Sequence, residues 1–434
     1  MNILSRLLSW RFWNLDTHVP FTSDAITWKI QNVTASIKDP ELARLFETCF
    51  AYTTNNLIAG FDPEVPDTSI STGDIEAMWL RDSAAQTSHL FPLLKEYEPR
   101  DTLLASLLDG LLLRQAKSIL IDGYANAFTF DPSEVSADHS SDQTKMAKGV
   151  FERKFEVDSL TAFLKLSNLH AEYSDSETRK RQEWIDAISS VLNILEKLQR
   201  LDYSKYKFQR NSLQPSESLE YGQPPPGKVT GMIPSAFRPS DDACVFPFNI
   251  PVNAELAVEL DKLVVEDLSL KSRASNLSHA IRRGIESFGK VDRGDGKIFA
   301  YEVDGFGGAL IMDDANLPSL LSLPLSGYCN STDPDYLRTR AVILSADSNP
   351  WYFEGSQFRG VGSVHTGRDR IWPLSLMAQY LTSSDDLEKE SVMNMLRLSA
   401  DDVFHESVHV NNASDFTRKS FGWANSFFVK LLLN

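Results

Sequence analysis

Apolar residues recur at helical spacing along almost the whole of this chain, and that periodicity constrains its fold more than any other feature. Leu42, Leu45, Phe46 and Phe50 form one such run; Leu103, Leu104, Leu107, Leu108 and Leu111 form another; Ile185, Ile188, Val191, Leu192, Ile194 and Leu195 form a third. Residues three and four apart share one helix face, so each run predicts an amphipathic or fully buried helix. Further helices are expected to begin near Glu76, Asp158, Val252, Ser275, Ala315, Pro334, Arg370, Asp385 and Thr417, several with a capping Ser, Thr, Asp or Asn, for a total of about a dozen.

Strand signals are few and short. Lys297 to Val303, after the Asp292-Arg-Gly-Asp-Gly turn, reads as one hairpin arm. Pro215 to Pro234, with Pro224-Pro-Pro-Gly inside it, reads as a surface excursion rather than a domain boundary. At 434 residues the chain is either multidomain or one of the large single-domain architectures. The absence of a close internal repeat argues against a tandem solenoid but leaves open a toroid of diverged helical hairpins. An all-α toroid of paired helices, with an inner and an outer ring and few short strands, accounts for length, helix number and strand scarcity as one domain over 1–434. Its active face would be built from inter-helix loops.

A formal net charge of −16, with no cluster of Lys or Arg, argues against nucleic acid and anionic membrane as partners. Without an apolar run of about 18 residues no transmembrane helix is expected. Arg6 and Arg11 interrupt the N-terminal apolar residues before a signal-peptide core forms, which leans toward the cytoplasm and leaves the compartment undecided. The Asn-x-Ser/Thr triplets at Asn32, Asn276, Asn330 and Asn412 do not decide it. Cys49, Cys244 and Cys329 have no CxxC or Cys/His ligand spacing, so they read as small buried hydrophobes, with one disulfide plus one free thiol as the alternative.

Four segments mix carboxylates, Arg, His and Trp with small residues. The first, Thr72 to Ser83, sets Asp74, Arg81 and Asp82 around Met78-Trp79-Leu80; it suits either a cleft or a capped helix with a surface ion pair. The second, Asn126 to Ser159, holds Asp131, His139 and Asp142 in a long loop, then Glu152, Arg153, Glu156 and Asp158, which would form a buried ionic lattice or a charged helix entry. The third places Asp241 and Asp242 between Arg238 and an apolar run, where one of the two could be held protonated as a proton donor. The fourth carries Glu406, Arg418, Trp423 and Asn425, and the stretch 360–373 adds His365, Arg368, Asp369 and Trp372. Carboxylate pairs, Trp faces and hydroxyl partners suit carbohydrate, and glycoside hydrolysis needs one protonated carboxyl and one ionised one.

Five strings resemble glycoside hydrolase family 125, the metal-independent exo-α-1,6-mannosidases: TGDIEAMWLRDSAAQ (72–86), FERKFEVDSL (151–160), FRPSDDACVFPFNIPVNAELA (237–257), GVGSVHTGRDRIWPLSLMAQYLTS (360–383) and HESVHVNNASDFTRKSFGWANSFF (405–428). The resemblance implies an (α/α)6 barrel and hydrolysis with inversion at the anomeric carbon. By it the general acid is Asp241 or Asp242 and the general base Glu406, their carboxyls about 6.5–9.5 Å apart to admit water. Asp74, Trp79, Arg81, Asp82, His365, Arg418 and Trp423 would hold the terminal mannose; Arg238 and Asn425 are expected to join them, with orienting the acids or closing helix packing as the alternative for each. Glu152, Arg153 and Asp158 look like supporting structure. The expected enzyme is a monomer that takes terminal α-1,6-mannose from mannan or N-glycan fragments without metal or cofactor. The alternatives are a glycosidase of the same fold for another sugar or linkage, an inactive mannose-binding protein, and a calcium-dependent mannosidase using Asp313-Asp314, which lacks a dense oxygen-ligand loop.

Overall fold

The computed structural model describes residues 21–135 and 142–433, so His139 and the N-terminal Arg6 and Arg11 lie outside the described residues. The chain is predominantly helical. Its first seven helices are α1 (Asp24–Ser36), α2 (Pro40–Asn56), α3 (Leu80–Thr87), α4 (Leu93–Glu96), α5 (Thr102–Ile121), α6 (Val157–Tyr173) and α7 (Gln182–Gln199). The others described are α8 (Ile250–Lys262), α9 (Leu268–Phe288), α10 (Leu323–Ser326), α11 (Pro334–Ile343), α12 (Pro373–Thr382), α13 (Asp386–Leu398) and α14 (Gly422–Leu433). None of them is long and apolar enough to cross a membrane.

Capping side chains decide several starts. Asp39 accepts from the Glu41 and Leu42 amides before Pro40 opens α2, and Asp101, Asn249, Asp267 and Asp385 do the same for α5, α8, α9 and α13. Each satisfies amides that the first turn leaves without a partner. The Asp267 cap moves the start of α9 seven residues ahead of the expected Ser275. No helix begins at Ala315, because the Asp313 carboxylate takes the Leu320 and Leu321 amides into a turn.

The remaining differences share one cause: short strands, most of two or three residues, stand ahead of several helices. Met78–Trp79 pairs with Ala127–Phe128 and delays α3 from Glu76 to Leu80; Arg370–Ile371 pairs with Val408–His409 and delays α12 to Pro373. Ser407–His409 and Asn412–Thr417 pair ahead of α14, which starts at Gly422 instead of Thr417. Strands of two or three residues are too brief to show alternation, and Asn412–Thr417, largely exposed, has no alternating apolar face, so periodicity does not reveal them. The expected hairpin forms between Lys290–Asp292 and Lys297–Phe299, but Glu302–Val303 leaves it to pair with Phe248–Asn249 and Ala309–Leu310.

The helices close on one another. α3 packs on α6, α6 on α8, α8 on α10, α10 on α12, α12 on α14, and α14 returns to α3. α2, α5, α9 and α13 pack against α14, α6, α8 and α12. Burial follows: every residue of α8 from Ile250 to Leu260 is buried, whereas α9 buries one stripe, including Leu270, Ala274, Leu277, Ile281 and Ile285. A helix surrounded by helices is apolar all round, and one with a solvent face is amphipathic. One apolar core extends from Ala25 to Leu431. The proline-rich excursion is only partly at the surface, since it ends with Met232 and Ile233 fully buried in that core. Cys49, Cys244 and Cys329 are free thiols, the first two buried and Cys329 partly exposed.

Candidate active site

The start of α3, the loop 239–241 ahead of α8, the stretch before α12 and the segment before α14 all deliver polar side chains to one cavity of about 360 Å³, measured with its open mouth. Ligand pockets typically span about 300–1,000 Å³. Trp79, Arg81, Asp82, Asp241, His365, Glu406 and Arg418 line it, so most of the residues singled out in sequence come together although they are scattered over more than three hundred positions. Thr72, Pro239, Ser240, Asn316, Trp372 and Phe421 complete the lining.

Arg81, in the first turn of α3, organises the charges. Its Nη1 lies 2.8 Å from Glu156 Oε2 and 3.2 Å from Asp158 Oδ2; its Nη2 lies 3.2 Å from Asp82 Oδ2 and 3.6 Å from Asp241 Oδ1. Behind it the guanidinium rests on the Trp423 ring at 5.4 Å, where weakly hydrated Arg stacks well. Burial drives the Asp82 carboxyl above its usual range and Asp158 up to about 6, and it lifts Glu156 well above, although Arg81 pulls each the other way. Asp241 differs. Burial would raise it, but Arg81, a hydrogen bond from Glu156, Lys154 and His365 together hold it below the ordinary carboxylate range.

The Asp241-Asp242 loop is a strained turn. Asp241 has φ +66°, a left-handed conformation that costs a non-glycine residue about 1 kcal/mol or more. Arg418 (φ +48°) and Asp369 (φ +60°) share it, so three of the four such residues described lie in the singled-out segments. Strain of this kind concentrates where surrounding structure aims a functional group. Here it turns Asp241 into the cavity while Asp242, 3% exposed, accepts from Ser240 Oγ at 3.0 Å and stays out of the lining. Burial raises the Asp242 carboxyl as well.

Glu406, which also lines the cavity, precedes the strand Ser407–His409, and Arg418 follows the strand Asn412–Thr417 that pairs with it. Arg418 Nη1 stands 3.7 Å from Glu406 Oε1, and its Nε donates to Asp74 Oδ2 at 3.1 Å. Trp372 and Phe421 meet edge to face with centroids 5.7 Å apart, and Trp372 Nε1 donates to Thr366 Oγ1. Trp79 Nε1 is buried and has no hydrogen-bond partner among the described residues.

Four residues stand elsewhere than expected. Arg238 lies behind the acid loop: Glu302 Oε1 takes its Nε at 2.6 Å, Tyr301 covers it, and its backbone closes the turn to Asp241 and Asp242. Asn425 is fully buried in α14, accepting from the Phe404 amide at 2.8 Å and from Cys49 Sγ, so it closes helix packing. Trp423, in the first turn of α14 and two residues beyond Phe421, supports Arg81 from a second cavity shared with Lys165, Glu255 and Lys430. Asp74 is exposed and holds Arg418 from the rim. Of the second segment, Glu152, Glu156 and Asp158 do form a buried ionic lattice, whereas Arg153 pairs with Asp122 and Asp142 with Arg210.

Asn316 and Phe421 were not singled out in sequence. Phe421 lies inside the string 405–428; Asn316 sits in the turn where the spacing predicts a helix start near Ala315, and Asp314 Oδ1 takes its amide. Among the described residues no group of three or more His, Cys, Asp or Glu is placed to hold a metal ion.

Buried carboxyls held at different proton affinities beside aromatic rings and hydroxyl partners are what cleavage of a glycosidic bond requires. With this helical scaffold they define a glycoside hydrolase. The family model described as metal-independent alpha-mannosidase (GH125) matches residues 39–433, and the chain belongs to that family. It is a mannosidase. A solved metal-independent alpha mannosidase of Streptococcus pneumoniae, in a non-productive complex with alpha-1,6-mannobiose, is 35% identical, with a TM-score of 0.89 over 96% of this chain and 99% of that one. The meiotically up-regulated gene 157 protein of Schizosaccharomyces pombe is 37% identical over 95% of this chain and 86% of its own length. A glycosidase solved with glucose, 14% identical with a TM-score of 0.55 over 91% of this chain and 98% of that one, shares the fold.

Proposed function

We propose that this mannosidase removes terminal α-1,6-linked mannose from the non-reducing end of mannan or N-glycan fragments, by single displacement with inversion. The observation that carries the reading is the placement of Asp241 and Glu406 on one cavity, each beside its own arginine. Asp241 serves as general acid, since it faces the cavity and Asp242 does not; Glu406 serves as general base toward water. Arg81, Asp82, His365, Arg418 and Trp79 bind the terminal sugar, and Trp372 with Phe421 offers the apolar surface on which a pyranose face stacks. The Streptococcus pneumoniae relative, solved with alpha-1,6-mannobiose, supports that linkage. The closed succession α3, α6, α8, α10, α12, α14 is read as the inner ring of an (α/α)6 barrel forming one domain that acts as a monomer.

Proton NMR of the protein acting on α-1,6-mannobiose with chelator present tests this directly. Initial β-mannose is expected. Initial α-mannose would exclude Glu406 as a base acting on water in a single displacement, and hydrolysis only of other linkages would overturn the assigned specificity.

A further inference from the structure

Glu302 is fully buried behind the loop that carries Asp241 and takes no part in lining the cavity. Residues 236–244 of that loop form a narrow hairpin. Phe237 bridges Ala243, the Arg238 amide donates to the Asp242 carbonyl at 2.8 Å, and the Cys244 amide donates to the Ala236 carbonyl at 3.0 Å. Pro239, Ser240 and Asp241 make the tip, and all three line the cavity. There Asp241 holds φ +66°, a conformation that a residue with a Cβ abandons unless its surroundings enforce it.

The Glu302 carboxylate grips both arms of this hairpin. Oε1 accepts from Arg238 Nε at 2.6 Å on the entering arm, and Oε2 accepts from the Val245 and Phe246 amides at 2.8 and 3.0 Å where the chain leaves it. Phe155 O takes the Ala236 and Phe237 amides, and Ser216 O takes the Ala243 amide, but each of these holds one arm alone. Glu302 is itself fixed by backbone: its strand pairs with Phe248–Asn249 on one edge and with Ala309–Leu310 on the other. Asn249 then caps α8, so the grip is referred to the helical body of the molecule. Tyr301 covers the Arg238 guanidinium at 5.4 Å and keeps it against its partner.

We propose that Glu302 is a positioning residue that closes the hairpin through Arg238 and the Val245 and Phe246 amides, and so holds its tip in the left-handed turn that aims Asp241 at the departing oxygen. The assignment rests on the reading of Asp241 as general acid. It explains why Arg238 stands behind the loop: its guanidinium is the link between the acid's own arm and the strand.

Glu302→Gln keeps the size of the side chain but has one acceptor oxygen where the grip uses two, so an amide N–H faces one arm or the other. With α-1,6-mannobiose, whose sugar leaving group needs a proton, kcat is expected to fall about 10²-fold, the scale of a small misplacement of a reacting group. KM should change little, because the residues read as sugar binders stand on other elements. A dinitrophenyl α-mannoside, whose phenolate departs without a proton, is expected to stay within about tenfold of the parent enzyme. Arg238→Lys keeps a cation facing Glu302 without the guanidinium Nε, and the same selective loss is expected of it, which keeps the proposal testable if the first variant does not fold. Equal losses on both substrates, a raised KM with unchanged kcat, or undiminished turnover of mannobiose would overturn the proposal. Asp241→Asn, assayed alongside, should show the same selectivity more strongly; if it does not, the reading of Asp241 as the acid fails instead. In that case a crystal structure of Glu302→Gln decides the grip: Asp241 should leave its positive φ, and an unchanged turn would overturn the positioning role.

Discussion

Arg418 Nε donates to Asp74 Oδ2 at 3.1 Å, bringing together residues 344 positions apart in the chain. The same guanidinium lies 3.7 Å from Glu406, so a rim carboxylate fixes the cation that sits against the proposed base. Arg418→Met should lower kcat/KM on mannobiose about 10²-fold, the scale of a small misplacement of a reacting group. Asp74→Asn should cost less, because its amide oxygen still accepts. Steady-state kinetics of the two variants provides the check, and a larger loss from Asp74→Asn would reverse the assigned hierarchy.

Glu406→Gln and Asp241→Asn should each reduce turnover of mannobiose by about 10²–10⁴-fold with unchanged melting behaviour. Asp242→Asn should remain within about tenfold of the parent, since an amide oxygen can still accept from Ser240. Comparison of all three in one assay identifies the acid; a larger effect at Asp242 than at Asp241 would exchange their roles.

Asn425→Ala should weaken the fold and spare the chemistry. It leaves the buried Phe404 amide without its acceptor, which costs about 1–3 kcal/mol. The denaturation midpoint should fall while KM stays unchanged, and a raised KM would return Asn425 to the sugar site.

Asp313 is fully buried, and that burial pushes its carboxyl up to about 8, even though the Leu320 and Leu321 amides pull it down. An unfolded Asp titrates near about 4. Between those values the folded chain holds a proton that the unfolded chain has lost. The resulting stability is complete below about pH 4 and is lost as pH rises toward about 8. From pH 5 to pH 8 the parent should therefore lose more thermal stability than Asp313→Asn, as scanning calorimetry would record; parallel slopes would show that Asp313 holds no such proton.

The helical runs and the chemistry-bearing segments were legible in sequence because each is a local property. Spacing along α2, α5 and α7 encodes a buried face whatever lies opposite, and strings such as 237–257 carry their polar residues together. Strands of two residues, such as Met78–Trp79, carry no period of their own and exist only because a partner strand arrives from elsewhere, so helix starts beside them shifted. The side on which each polar group falls was likewise beyond a local reading. Asp241 and Asp242 are adjacent and chemically alike, and only a left-handed turn closed by the Arg238 backbone sends one to the cavity and the other behind it. Glu302 draws Arg238 away, Phe404 engages Asn425, and Arg81 gathers Asp82, Glu156, Asp158 and Asp241. The sequence by itself determined the helices and the residue types available for chemistry. Tertiary structure decided which of them share a cavity and which share an arginine, because burial and charge act through distances that the order of residues does not contain.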